Sequence, residues 1–224
     1  MEKNFLVLSD IHGELDFLDK LDDEFKNSDA VLFAGDFAKF NHTETGLPVL
    51  KSLIQKHDSV FAVIGNCDEP EFLQELEKHD ISVQNTMVYF DGFALAGSGG
   101  TIKFTGMTPN ERSDEELLSD LNLAQHATDF SNMILILHHP PFETECDKLT
   151  NGAHVGSKLF RTFIEEKQPL LAVCGHIHES SGVSKIEKTT IINPGSLAEG
   201  KYATVVVEKA GDNFTVTKVE LKQL

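Results

Sequence analysis

The chain has 224 residues, 40% of them hydrophobic and 25% charged, which fits a folded globular protein and excludes a disordered or fibrous one. Its net charge of −17 argues against a nucleic-acid partner, because a broad grip on a phosphate backbone needs clustered Lys and Arg. No apolar run approaches the roughly 20 residues that cross a bilayer, so no membrane partner is expected, and a single cytoplasmic domain over 1–224 is.

The N-terminal part alternates strands and helices. FLVLS reads as a strand, and Leu15, Leu18, Leu21 and Phe25 recur at helical spacing over 13–27. AVLFA is the next strand, followed by a helix with Pro48 near its start that runs towards His57. VFAVIG is a third strand, and EPEFLQELEKH is a helix with Phe72, Leu73 and Leu76 on one side. Such alternation implies a mostly parallel, buried sheet.

The middle changes character. TMVYF and FALAG flank Asp91-Gly92 and read as a hairpin. SGGTIKFTGMTPN reads as a loop, and a helix is expected from Asp114 to Ala127 with Ser113 as its cap. MILILHHPP is a buried strand stopped by two prolines, 140–155 a long loop, Gly156 to Lys167 a helix, and LLAVCG a strand. GVSKIEK, TIINPG, YATVVVE and FTVTKVEL read as four further strands. Two sheets face to face with helices outside would accommodate the whole, and the strand-rich tail offers edges through which a homo-oligomer could pair.

Seven metal-capable side chains follow these apolar runs: Asp10 and His12 in SDIHG, Asp36 in GD, Asn66 in GNCD, His138 in HHPP, and His176 and His178 in GHIH. Taken singly, an Asp or Asn after a strand is most simply a turn residue. Two imidazoles two residues apart are a stronger sign of metal binding. The set is stronger still, since strand ends in an α/β sheet converge on one edge. Carboxylates, imidazoles and one amide, with no thiolate among them, suit two divalent ions: Mn, Fe, Zn or Co rather than Ca. Two such ions carry +4 against −3 from Asp10, Asp36 and a hydroxide. An acidic chain can thereby present a positive site to a small phosphate-ester substrate.

The ordered motifs D-x-H, G-D, G-N, H and G-H-x-H resemble those of the calcineurin-like metallophosphoesterases. GNCD, HHPP, GHIHE and NPGSL look most like its small bacterial and archaeal phosphodiesterase-related branch. The resemblance implies an α/β four-layer sandwich, two mixed β-sheets flanked by helices. It implies that Asp10, His12 and His178 hold one metal, that Asn66, His138 and His176 hold the other, and that Asp36 bridges them. The implied activity is a phosphodiesterase using metal-activated hydroxide. The rivals are a non-catalytic metal-binding scaffold, a phosphomonoesterase and a cyclic-nucleotide phosphodiesterase.

Two further residues join Asp36 and Asn66 as catalytic candidates. Cys67 stands where many family members carry a His thought to protonate the leaving group, and a thiol is the poorer donor; nearby cations would favour its thiolate. His139 follows the ligand candidate His138 and is expected behind it or facing substrate. Asp68 is either an orienting carboxylate or a helix cap. His154 and Arg112 are minor candidates for contact with substrate, and Asn193, Gly195 and Ser196 form a turn beside the site.

Overall fold

The computed structural model describes residues 1–224. In chain order, β1 (Glu2–Leu8), α1 (Leu15–Leu18), α2 (Asp22–Asn27), β2 (Ala30–Phe33), α3 (Gly46–Lys56), β3 (Val60–Ala62) and α4 (Leu73–Lys78) form the alternating part. The hairpin follows as β4 (Met87–Phe90) and β5 (Phe93–Ser98), then β6 (Thr101–Ile102), β7 (Glu111–Arg112), α5 (Asp114–Ser119), β8 (Met133–Leu137), α6 (Lys158–Lys167) and β9 (Leu171–Cys174). The tail holds β10 (Gly182–Ile186), β11 (Thr189–Asn193), β12 (Lys201–Ala210) and β13 (Asn213–Gln223).

These strands make two large sheets, ordered β13-β12-β1-β2-β3 and β10-β11-β9-β8-β5-β4. The inner pairings β1–β2, β2–β3, β5–β8, β8–β9 and β9–β11 are parallel, while β12, β13, β10 and β4 join antiparallel. Alternation along each strand sorts the side chains by face. Phe5, Val7, Leu32, Phe93, Leu95, Ile134, Ile136 and Val173 meet between the sheets, with the Phe5 and Phe93 rings edge to face at 5.3 Å. The opposite face of the first sheet (Leu6, Leu8, Phe33) packs on Leu18, Leu21, Phe25, Leu50 and Leu53. The opposite face of the second (Leu135, Leu137, Ala172) packs on Leu117, Phe160 and Ile164. Helix, sheet, sheet, helix are therefore four layers, and each buried Leu, Ile or Phe contributes roughly 1.5–3 kcal/mol.

Several expected elements are shorter. The 13–27 helix breaks into α1 and α2 around a 3-10 turn at Asp19–Leu21. The helix expected to Ala127 stops at Ser119, although Ser113 does cap it in a reciprocal box with Glu116. Its successor Asp120 instead turns its carboxylate inward to Arg112, Gln84 and Ser98. The last expected helix starts at Lys158, because Ser157 accepts from Phe160 N as its N-cap. SGGTIKFTGMTPN is not all loop: β6 pairs parallel with β7. The tail also divides, with β10–β11 extending one sheet and β12–β13 the other. No helix is long and apolar enough to cross a membrane.

Candidate metal centre

Five of the parallel strands run out at one edge of the sandwich, and the short loops beyond them are stitched together by backbone bonds. Asp10 N donates to Gly35 O (2.9 Å), and Ile11 N and His12 N both donate to Asp36 O (3.1 Å each). Gly175 N donates to His138 O at 3.1 Å. Asp10, His12, Asp36 and His176 all adopt positive φ, between 48° and 66°. That conformation costs an L-residue about 1–2 kcal/mol, and four instances in one small region mark strain held in place by the surrounding fold. The glycines of the motifs keep space for it. A Cβ on Gly65 would collide with Asp36, and one on Gly175 with Ser9 and Asp10.

The side chains converge as their spacing along the sequence requires. His12 Nδ1 donates to Ala38 O (3.1 Å), so Nε2 keeps its lone pair in the neutral ring. That Nε2 lies 3.2 Å from His178 Nε2, 3.8 Å from Asp10 Oδ1 and 3.7 Å from Asp36 Oδ2. His138 repeats the pattern, with Nδ1 donating to Ala34 O (2.6 Å) and Nε2 facing Asn66 Oδ1 (2.8 Å) and Asp36 Oδ2 (3.6 Å). With Nδ1 donating to Ala34, the neutral His138 ring turns an Nε2 lone pair towards Asn66 Oδ1, so two electron-pair donors face one another. A cation would relieve that crowding, and the oxygen and imidazole donors fit one. Asp10, His12 and His178 form one group able to hold a metal, and Asp10, Asp36 and His138 form another.

The metal-free electrostatics reflect the same crowding. Burial would raise the Asp10 carboxyl, but the hydrogen bond and charge of His178 reverse this and pull it below the usual range. Burial opposes the charge on His178, yet Asp10 at 3.2 Å holds its ring up at about 9. Desolvation pushes His176 well below its ordinary value, with a further push from His138.

His176 joins neither group, but its ring centroid lies 5.3 Å from that of His138, and its Nε2 is 3.0 Å from Thr101 Oγ1. Thr101 Oγ1 is also 2.8 Å from His139 Nδ1, and His139 Nε2 lies 3.1 Å from Val155 O. Burial holds His139 down to about 3, so the ring is neutral. The carbonyl can only accept, which fixes the order: His139 Nε2–H donates to Val155 O, Thr101 O–H to His139 Nδ1, and His176 Nε2–H to Thr101. His176 Nδ1 is left as the free lone pair. His139 therefore has no ring nitrogen to offer a substrate: it is 3% exposed and both are taken. Thr101 escaped the sequence reading, since a Thr after two glycines carries no local signal of this bond.

The remaining candidates divide clearly. Asp68 is not a helix cap; it accepts from Phe37, Ala38 and Gly65 N–H and ties the GD loop to the GN loop. Burial and the nearby Asp36 push its carboxyl up to about 6 despite those bonds. His154 pairs with the buried Asp147 at 2.7 Å, and Arg112 forks onto Asp120, so both are committed to structure. Asn193 Nδ2 donates to Ile177 O (3.0 Å) and Ser196 Oγ to Asp10 O (2.7 Å), bracing the loops. Cys67 is 6% exposed, its backbone N–H donates to Asp36 Oδ1 (2.7 Å), and its Sγ lies within 4.8 Å of donor atoms of His12 and Asp36. Without a metal, burial and then Asp36 push its thiol far up, the opposite of the thiolate that cations would favour.

A family model described as calcineurin-like phosphoesterase matches residues 3–180. The chain is 32% identical over 205 residues to an uncharacterized protein of Methanocaldococcus jannaschii, covering 88% of this chain and 90% of that one. Among solved structures it superposes on TT1561 of Thermus thermophilus with TM-score 0.73, 18% identity and coverage of 100% and 99%. An archaeal phosphodiesterase gives TM-score 0.53 at 15% identity, covering 98% of this chain and 99% of that one. At those identities the structural likeness is one of fold.

Proposed function

The chain belongs to the calcineurin-like phosphoesterase family, and from that premise we propose that it is a metal-dependent phosphodiesterase with a dinuclear centre. Asp10, His12 and His178 would hold one divalent ion, Asn66, His138 and His176 the other, and Asp36 would serve both. The observation that carries this is the position of Asp36 Oδ2, 3.7 Å from His12 Nε2 and 3.6 Å from His138 Nε2. Mn, Fe, Zn and Co all suit the donors. When bound, two such ions supply the positive charge that draws in a phosphate and acidifies water beside it.

The protein's own residues do the rest. Ala38 and Ala34 carbonyls fix the tautomers of His12 and His138, so that Nε2 of each points inward as a lone pair. Cys67 N–H anchors Asp36 Oδ1 and leaves Oδ2 free. Thr101 and His139 orient His176 from behind, as positioning residues. No Lys or Arg lines the adjoining cavity, so nothing there would offset the second negative charge of a monoester, which favours a singly charged diester. The archaeal phosphodiesterase among the structural neighbours points the same way. Cys67 is a weak proton donor, so diesters with good leaving groups should react fastest; Cys67→His is expected to raise turnover most for poor ones.

The test is hydrolysis of bis-p-nitrophenyl phosphate with added Mn²⁺. Asp36→Asn and His176→Ala are each expected to lose at least about a hundredfold in kcat/KM. Equal background in all three proteins would mean a scaffold that binds metal without turnover.

A further inference from the structure

Beside the centre the surface opens into a cavity of about 360 Å³, large enough for a single ring with its sugar or linker. Ile102, Phe104, Leu149, Val155 and Ile177 line it, and His176 and His178 form its wall towards the metals. A phosphate held at the centre would therefore have one ester arm directed either into this space or into solvent. The only carboxylate in the lining is Glu179, which accepts from Thr150 N at 2.6 Å, and there is no Lys or Arg to receive an anionic arm.

Phe104 is the informative wall. It is 72% exposed and packs in none of the three apolar clusters, so folding alone gives no reason for a Phe there. Yet the loop that carries it is held firmly. The Glu111 carboxylate accepts from the N–H groups of Phe104 (2.9 Å), Gly106 (2.8 Å), Met107 (3.1 Å) and Thr108 (3.3 Å), and from the hydroxyls of Thr105 (3.0 Å) and Thr108 (3.1 Å). Behind it, Arg112 anchors β7 to Asp120 at 2.6 and 2.8 Å. A ring presented at a cavity mouth on a braced loop offers a preformed stacking face, which lowers the ordering cost of binding.

We propose that this cavity is the subsite for one ester arm, and that it selects a neutral, flat aromatic group such as an aryl or nucleobase ring stacked on Phe104. The proposal rests on the metal-centre reading above and specifies the substrate class that the centre serves.

Phenylphosphonate and methylphosphonate, which resist hydrolysis, separate the two ideas by titration calorimetry on the full chain with excess Mn²⁺. The parent is expected to bind the phenyl compound about tenfold tighter than the methyl one. In Phe104→Ala and in Leu149→Ala that ratio is expected to fall to within about twofold, while Phe104→Tyr, which keeps the ring, retains it. Circular dichroism of each variant checks that the fold persists. A parent ratio near one, or a preference that survives both alanine variants, overturns the aromatic subsite while leaving the centre intact. If Mn²⁺ itself binds but neither phosphonate does, the subsite is overturned alone; if Mn²⁺ does not bind, the metal centre falls, and the subsite with it.

Discussion

The two sides of the proposed centre are built differently. The side formed by Asp10, His12 and His178 opens to solvent, with the His12 side chain 17% exposed and that of His178 35%. On the other side Asn66 and His138 are buried, His138 wholly so, and the partly exposed His176 is backed by Thr101 and His139. There the buried imidazole of His138 must be held by a partner that also satisfies its hydrogen-bonding groups, as the Ala34 carbonyl does. Substitutions there should damage the fold as well as the chemistry.

The largest expected contrast follows directly. His138→Ala leaves a cavity and an unpaired Ala34 carbonyl, so the metal-free protein should lose about 2–4 kcal/mol in urea denaturation. His12→Ala, on the open side, should lose less than about 1.5 kcal/mol, although both variants should lose activity. Equal losses of stability would erase the distinction between the sides.

Next in size is Thr101→Val, which keeps shape but breaks the chain from His139 to His176. Metal affinity, read by competition with a chromophoric chelator, should fall about tenfold, and Thr101→Ser should restore it. Nitrogen-15 NMR of the imidazoles offers a readout that packing alone would not change: the parent should show His176 protonated at Nε2, and the valine variant a mixture of tautomers.

Smaller effects are expected at the braced loop that carries Phe104. Burial would raise the Glu111 carboxyl, but the N–H groups of Phe104, Gly106 and Thr108 more than reverse this and hold it below its ordinary 4.5. A lowered folded value means that the bracing is fully present above the ordinary value and is lost as pH falls through the lower one. Amide exchange at Phe104, Gly106 and Met107 should therefore accelerate in acid, corrected for the intrinsic rate. In Glu111→Gln it should be about tenfold faster already at neutral pH.

The smallest effect is expected at Tyr202, which packs on the face turned to the outer helices. Tyr202 donates to Glu24 at 2.7 Å, and burial together with that carboxylate pushes the phenol up to about 12. Being raised, its contribution is complete below pH 10 and disappears as pH rises towards 12. Tyr202→Phe should lose about 1 kcal/mol of stability with kcat preserved. A change in kcat would show that the centre is less insulated from the outer helices than its packing implies.

Much of this was legible from residues alone. Each core strand was readable because its apolar run is bounded by Gly, Asp or Asn, and the ligand candidates follow those runs at once. What resisted reading was decided across space. The helix after Ser113 ends early because Asp120 is claimed by Arg112 and Ser98, neither its helical neighbour. The pairs β10–β11 and β12–β13 have similar β-branched compositions, so nothing local assigns them to different sheets. His139 was ambiguous because adjacent histidines give no sign of which is buried, and its partners, Thr101 and Val155, lie 38 and 16 residues away. Such bonds depend on which loops meet, and periodicity is silent about that.

The most direct measurement is anomalous diffraction from a crystal of the full chain soaked in Mn²⁺. Two peaks about 3.5–4 Å apart should appear, one beside His12 and His178, the other beside Asn66 and His138, with Asp36 reaching both. A single peak, or two ions that do not share Asp36, would contradict a dinuclear centre.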